Sequence, residues 1–193
     1  MKTRNSGFTL IELLIVVAII AILAAIAIPN FLAAQTRAKV SRCKSDLRTL
    51  HTGMESYYVD ENSYVPEHLD MTANEQLRHL AIYAHLTTPV AYITTIPVDP
   101  FKSGMRDGTS YVNNPYYWYY NWLARYGHPI DLVNTYGWDP WFDGQSSAIM
   151  ISIGPSFKTV ASVSGVGFGV YDPSNGTVSP GYIYRLLPGG RSN

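Results

Sequence analysis

The chain has 193 residues, enough for one ordinary domain with an appendage. Its 14 basic and 14 acidic residues give a formal net charge of zero, and they are grouped along the chain. A nucleic-acid-binding domain normally shows a broadly basic surface, so no nucleic-acid partner is expected. The single cysteine, Cys43, excludes an intrachain disulfide. The sequence contains no H-E-x-x-H, C-x-x-C or G-x-S-x-G pattern, and no enzymatic activity is expected.

The N-terminus consists of a short basic leader and a long apolar run. Lys2 and Arg4 lie in the leader, and nearly every residue from 8 to 34 is apolar. A secretory signal peptide would have a shorter apolar stretch, followed by a small-residue cleavage site that is missing here. A run of more than about 20 apolar residues can span a bilayer as a helix. The sequence therefore predicts a retained membrane helix, with the basic leader in the cytoplasm.

The junction G7-F-T-L-I-E12 carries a family resemblance. Together with the basic leader and Pro29, it resembles the processing motif of type IV pilins and type II secretion pseudopilins. The resemblance implies that a prepilin peptidase cleaves after Gly7 and that the new N-terminal residue, Phe8, is methylated on its amino group. The alternative is an ordinary single-pass anchor in which Glu12 is incidental.

Glu12 is an acid inside an apolar segment and needs a partner there, because a lone charge is costly in lipid. Cleavage after Gly7 would create an ammonium on Phe8, one helical turn away. The resemblance implies that Glu12 pairs with the N-terminus of a neighbouring subunit in a filament. Such a pair would fix the axial step of each incoming subunit, as other buried polar groups specify assembly.

The helical pattern continues beyond the apolar run as an amphipathic segment. Continuous helix from Phe8 to Asp60 would be roughly 80 Å long, and Pro29 should kink or loosen it. Cys43 is expected to act as a small buried hydrophobe. Spacings of three and four residues predict one face that packs on a head domain; its apolar residues are Val40, Cys43, Leu47, Leu50, Met54 and Tyr57.

Charges along this helix form two blocks. Five basic residues and one acid lie between positions 37 and 48, and six acids follow between positions 55 and 75 without a Lys or Arg. We expect the basic block to lie near anionic headgroups before assembly and to face an acidic segment of a neighbour afterwards.

The remaining sequence predicts an α+β head. A capping-box pattern at Thr72–Glu75 predicts a second helix over 73–86, with Leu77, Leu80 and Ala84 as its apolar face. A proline-punctuated turn and loop should follow over 87–101. Strands are predicted over 114–122, 147–154, 166–172 and 181–187, with a long loop over 125–145.

With the family resemblance, these elements give the expected fold: a long N-terminal transmembrane and stem helix packed on a small antiparallel sheet, as in type IV pilins. The expected organisation is a cleaved leader (1–7), a transmembrane and filament-core helix (8–34), an amphipathic helix (35–60) and a periplasmic head (61–193).

Segments of the head resemble the major pseudopilin of type II secretion, namely IPVDPF, YYWYYN and MISIGPS. The resemblance implies a calcium ion in the C-terminal loops, but Ser156 stands where that family has an aspartate. Asp172 and Asn175 are the remaining calcium candidates, together with Asp139 and Asp143, and none has an ordered calcium-loop spacing. Turn-forming side chains are the simpler explanation, so no cofactor is expected.

Three functions fit these patterns. The leading one is a structural subunit of the periplasmic pseudopilus of type II secretion. The second is a subunit of a surface type IV pilus, for adhesion, motility or DNA uptake, although such pilins often close a C-terminal loop with a disulfide. The third is a pilin-like stem whose head binds a ligand through an aromatic surface of Tyr117, Trp118, Tyr119 and Trp122.

The partners that the resemblance implies are copies of the chain and other pilin-like subunits, the prepilin peptidase, an inner-membrane assembly platform and the lipid bilayer. The expected location is the inner membrane, as a single-pass protein with its leader in the cytoplasm and its head in the periplasm. From there it would enter a periplasmic or extracellular filament.

Overall fold

The computed structural model describes residues 9–67, 75–102, 114–121, 146–155, 171–172 and 181–188. The elements are helix α1 (Leu10–Glu61), helix α2 (Glu75–Ala84) and strands β1 (Trp118–Asn121), β2 (Ser146–Ser152) and β3 (Ile183–Pro188). The sheet has the order β1-β2-β3 with antiparallel neighbours. This confirms the predicted fold class, a long N-terminal helix with a small antiparallel sheet.

Helix α1 runs for 52 residues and continues through Pro29. It ends at Asn62, whose left-handed backbone (φ 52°, ψ 23°) closes the helix. The predicted apolar face of its second half is confirmed, because Val40, Cys43, Leu47, Leu50 and Met54 are buried. Tyr57, at the end of that face, packs against the core while partly exposed.

Gly53 lies on the buried face of α1, where the loop after α2 approaches the helix. A Cβ atom at this position would lie 2.8 Å from Cγ2 of Ile93. The missing side chain therefore sets how closely the segment 92–97 packs on α1. The sequence pattern contained Gly53, but nothing in it predicted this contact.

Helix α2 ends two residues earlier than predicted, at Ala84, and its buried face is not the expected one. Leu77 and Leu80 are 53% and 37% exposed, so the predicted apolar face of Leu77, Leu80 and Ala84 is wrong. The structure instead buries His79, Ile82, Tyr83 and Leu86, which share the spacing i, i+3, i+4, i+7. Tyr83 favours this orientation because its hydroxyl donates to the main-chain oxygen of Tyr117 at 3.1 Å.

Three of the predicted strands are present with shifted ends. The segment 114–122 becomes extended in the sheet only from Trp118, and Tyr116 instead forms an isolated bridge with Val98. In the register of the sheet, Tyr119 lies opposite Met150, and Ile149 lies opposite Leu186. The segment 87–101 was expected to form a short helical turn and then a loop. The loop is confirmed, and the segment contains turns, bends and that single bridge but no helix.

Two predicted segments lie wholly or mostly outside the described residues. Of the predicted strand 166–172, only Tyr171 and Asp172 are described, and neither is in a strand. The main-chain nitrogen of Tyr171 donates to the oxygen of Tyr182 at 3.0 Å, which fixes it beside β3. The predicted loop 125–145 lies outside the described residues.

Candidate functional site

The first half of α1 is apolar on every side and exposed on every side. Its large apolar side chains from Leu10 to Leu32 are between 45% and 78% exposed. The core helix of a soluble protein would be mostly buried, whereas none of the most apolar 18-residue window of α1 is buried. Among the described residues, α1 is therefore a helix long and apolar enough to cross a membrane, with its membrane segment entirely uncovered.

The N-terminus of α1 is built around Thr9 and Glu12. The main-chain nitrogen and the hydroxyl of Thr9 both donate to Oε2 of Glu12, at 2.8 and 2.7 Å. The nitrogen of Glu12 donates back to the Thr9 hydroxyl at 3.3 Å. This reciprocal pair is a capping box, which satisfies N–H groups that have no partner inside the helix.

The capping box was not predicted from the sequence, although the pattern T9-L-I-E12 is its usual signature. It gives the Glu12 carboxylate a local partner before any neighbouring subunit is present. Gly7 and Phe8 lie outside the described residues, so cleavage, methylation and the pairing of Glu12 with the Phe8 ammonium stay predictions.

Pro29 lies inside α1 and removes one main-chain donor from the helix. The next residue adds a side-chain donor close by, because Nδ2 of Asn30 donates to the oxygen of Ile26 at 3.0 Å. The helix is therefore continuous past the proline, and the predicted kink stays a prediction.

The proposed aromatic contact surface is wrong for three of its four residues. Tyr117, Trp118 and Tyr119 are 0%, 7% and 1% exposed, because both faces of β1 are covered. The Tyr117 hydroxyl donates to Oδ2 of Asp46 at 3.0 Å, and the Tyr119 hydroxyl donates to the oxygen of Val65 at 2.9 Å. Trp122 lies outside the described residues.

The tyrosine hydroxyls tie β1 to α1 and to the chain that follows it. Burial raises the pKa of Tyr117 and Tyr119 far above the usual value for tyrosine. Both hydroxyls therefore stay protonated and act as donors at any physiological pH. These rings form the core of the head and are unavailable as a ligand platform.

The calcium candidates are not brought together by the described part of the chain, and a calcium site stays a prediction. Asp172 is exposed, and Asn175, Asp139 and Asp143 lie outside the described residues. In the described part of the chain, no three His, Cys, Asp or Glu side chains are grouped as a metal site would require.

These features define a class of protein: a chain anchored by an uncovered apolar helix whose second half carries a small β-sheet head. Residues 2–28 match the family described as "Prokaryotic N-terminal methylation motif". The chain is 30% identical over 100 residues to "Type II secretion system core protein G" of Aeromonas hydrophila, covering 52% of this chain and 70% of the relative. The corresponding protein of Escherichia coli K12 is 30% identical over 105 residues, or 51% and 68% of the two chains.

Pilins also match, over shorter segments. "Type IV major pilin protein PilA" of Myxococcus xanthus is 57% identical over 61 residues, which is 32% of this chain and 28% of the pilin. "Type IV wide pilus major component PilA4" of Thermus thermophilus is 57% identical over 62 residues, or 32% and 47%. The match thus spans less than half the length of either pilin. No solved structure matches the chain significantly.

The chain belongs to the family of type IV pilins and type II secretion pseudopilins. Its relatives are structural subunits, not enzymes, which agrees with the expectation from the sequence.

Proposed function

We propose that this chain is a structural subunit of the pseudopilus of a type II secretion system. The proposal rests on the number of residues that the alignments cover. Those to protein G span 100 to 107 residues, whereas the leader and α1 together end at residue 61. They must therefore include part of the head, whereas the alignments to the two pilins span only 61 and 62 residues.

In this proposal the chain is inserted in the inner membrane with its leader, residues 1–7, in the cytoplasm and its head, residues 61–193, in the periplasm. The prepilin peptidase removes the leader after Gly7, and Phe8 is methylated. Residues 8–34 lie in lipid and then in the filament core, and residues 35–60 connect them to the head. The apolar side chains of the first half of α1 support this arrangement, because no described residue of the head covers them.

Assembly would exchange lipid for the helices of other subunits. Glu12 would change partners at that moment, from Thr9 of its own chain to the Phe8 ammonium of a neighbour. The short hydrogen bonds that Thr9 donates show that the carboxylate lies at the helix start, where such an ammonium would arrive. An assembly platform in the inner membrane would supply the work that is needed to extract each subunit from the bilayer.

Deletion of the gene tests the proposal. Loss of the chain should leave exported proteins in the periplasm, and restoring the wild-type gene should return them to the medium. A strain with a catalytically inactive prepilin peptidase should show the same defect, because unprocessed subunits could not assemble.

A surface pilus is the second candidate, favoured by the 57% identity to two pilins over about a third of the chain. It predicts the opposite phenotype. Normal secretion with loss of surface filaments in the deletion strain would contradict the pseudopilus and support the pilus.

A further inference from the structure

One flank of α1 beyond the membrane segment is basic. Arg37, Lys44 and Arg48 follow each other at seven and four residues, so they share one side of the helix. All three are exposed, and within the described part of the chain none of them has an ion-pair partner. We call these three residues the basic flank. Arg42 lies on the other side of the helix, where it pairs with Asp46 at 3.7 Å.

A different side of α1, with Asp46, Thr49 and Gly53, forms one wall of an open groove of about 540 Å³. Thr52, one helical turn after Arg48, lies at the edge of the groove that is nearest the basic flank. The other wall of the groove is the segment 92–97, which the missing side chain of Gly53 allows to approach α1. We call it the threonine groove, after its polar lining residues Thr49, Thr52, Thr94 and Thr95, with Asp46 beside them. Asp60, exposed and seven residues beyond Gly53, extends the same side of α1.

The groove is rich in hydrogen-bond acceptors. The hydroxyls of Thr49 and Thr52 donate to the main-chain oxygens of Ser45 and Arg48, at 3.2 and 3.1 Å. Their protons are thus occupied within the helix, and their oxygens remain available as acceptors. The carboxylate of Asp46, whose side chain is 20% exposed, already has Arg42 and the Tyr117 hydroxyl at its Oδ2 atom. A second cation that brings several donors would add to the partners of this carboxylate and of the threonine oxygens.

We propose that the threonine groove binds the basic flank of a second copy of this chain. The inference rests on the proposed function, in which copies assemble into a filament. Because the basic flank and the groove are two different surfaces of one chain, the contact is heterologous, and repeating it produces an open helical array instead of a closed dimer. All copies point the same way, since each is anchored through the same N-terminal helix.

The spacing of the charges along α1 agrees with a single displacement between copies. Arg37 precedes Asp46 by nine residues, and Arg48 precedes Asp60 by twelve. A shift of about ten residues, or about 15 Å along the helix, brings both pairs within reach of an arginine side chain. One displacement therefore satisfies both ends of the basic flank.

Charge reversal on the basic flank tests the proposal. Lys44→Glu with Arg48→Glu should lower the yield of sheared filaments roughly ten-fold at low salt, because exposed pairs each contribute a few-fold and reversal adds repulsion. Lys39→Glu is the matched control: it is equally exposed, lies in the same segment and sits outside the basic flank. It should leave the yield near that of the wild type. An equal loss for Lys39→Glu would assign the cations to lipid headgroups and overturn the proposal.

A compensating pair makes the test independent of folding. Thr95→Lys places a cation in the groove at an exposed position of the segment 92–97 and should also lower filament yield several-fold. Adding Lys44→Glu to Thr95→Lys should restore most of the loss. If the double variant is as defective as the worse single variant, the two surfaces do not meet.

Crosslinking tests the heterologous arrangement directly. Lys44→Cys with Thr95→Cys should give a ladder of disulfide-linked multimers after mild oxidation, whereas either single variant should stay monomeric. Cys43 is fully buried and should not contribute. Dimers from a single variant would indicate a symmetric contact and overturn the proposal. A wild-type chain that forms no filaments would instead contradict the proposed function.

Discussion

At the residue scale, Glu12 has two successive tasks. In the described chain it closes the capping box with Thr9, and in the proposed filament it pairs with the N-terminus of a neighbour. The two tasks depend on different properties of the side chain. Capping needs an acceptor oxygen that reaches the main chain, whereas pairing with an ammonium needs negative charge.

The substitution Glu12→Gln separates these tasks. Glutamine retains the acceptor, so α1 should still begin at Leu10 and the protein should accumulate in the inner membrane, processed after Gly7. Filament yield should fall strongly, because the ammonium of the neighbouring Phe8 would be left without a counter-charge in an apolar core. Membrane fractionation and negative-stain microscopy measure both outcomes.

Thr9→Ala is the control for Glu12→Gln, because it removes the cap and keeps the charge. It should reduce filament yield much less than Glu12→Gln. Normal filaments from Glu12→Gln alone would show that the carboxylate does not act through its charge.

The head should lose stability at alkaline pH, because it buries a thiol and a tyrosine hydroxyl in their protonated forms. Burial raises the pKa of the Cys43 thiol from 9.0 to about 12 and the pKa of Tyr117 well above 10.0. The unfolded chain therefore loses these protons at lower pH than the folded chain. The stabilisation is complete below about pH 9 and is lost as pH rises above it.

We expect the melting temperature of the detergent-solubilised protein to be flat from pH 7 to 8.5 and to fall between pH 9 and 11. Cys43→Ala should make this fall less steep, because it removes one of the groups that lose their proton at lower pH in the unfolded chain than in the folded chain. A melting temperature that rises over the same range would contradict the burial of these groups.

At the element scale, the packing of α1 on the segment 92–97 depends on Gly53. Alanine is intrinsically better than glycine in a helix, by about 1 kcal/mol. At position 53, however, its Cβ would meet Ile93 at 2.8 Å, closer than atoms normally approach. The steric term should therefore outweigh the propensity term.

We predict that Gly53→Ala destabilises the head by up to about 2 kcal/mol, which is an overpacking cost of about 1–3 kcal/mol less the gain in helix propensity. Denaturant unfolding in detergent measures this. Ser56→Ala, at an exposed position of the same helix, should change stability by less than about 0.5 kcal/mol. Combining Gly53→Ala with Ile93→Ala should cost less than the sum of the two single variants, because the second change relieves the clash.

Two faces of α2 carry apolar residues, and only one of them packs in the core. Ile82→Ala removes a fully buried side chain and should cost about 2–5 kcal/mol. Leu77→Ala removes a side chain that is 53% exposed and should cost less than about 1 kcal/mol. A loss of thermal stability that is larger for Leu77→Ala than for Ile82→Ala would support the face predicted from sequence over the one in the structure.

At the scale of the whole molecule, the chain combines a head that packs on the second half of α1 with a first half of α1 that no described residue covers. The head buries its aromatic strand, its threonine groove remains open, and the membrane half of α1 is bare. A protein with this distribution of apolar surface is incomplete as a monomer in water. It requires lipid or further copies, which is the physical basis of a filament subunit.

Processing is testable on the intact chain. Removal of seven of the 193 residues should leave 186, beginning at Phe8 with a methylated amino group. Intact-mass measurement of membrane or filament fractions checks this, with a peptidase-deficient strain as the control. A mass that retains MKTRNSG in competent cells would contradict the assignment.

The sequence alone determined the features that depend on local composition and period. These features were predicted because each depends on residues that are close in sequence. They are the extent of α1, its apolar half, the buried face from Val40 to Met54 and the positions of β1, β2 and β3. The capping box at Thr9 was equally local and could have been predicted from the same kind of signature as that at Thr72.

The tertiary structure decided what depends on distant partners. Either stripe of α2 satisfies a helical period, and only the position of Tyr117 selects the one with Tyr83. The aromatic residues around β1 would form an exposed surface if nothing covered them. They belong to the core because α1 and the segment 64–67 pack against them. The threonine groove exists because Ile93 reaches Gly53 from forty residues away, a contact that no pattern within either segment encodes.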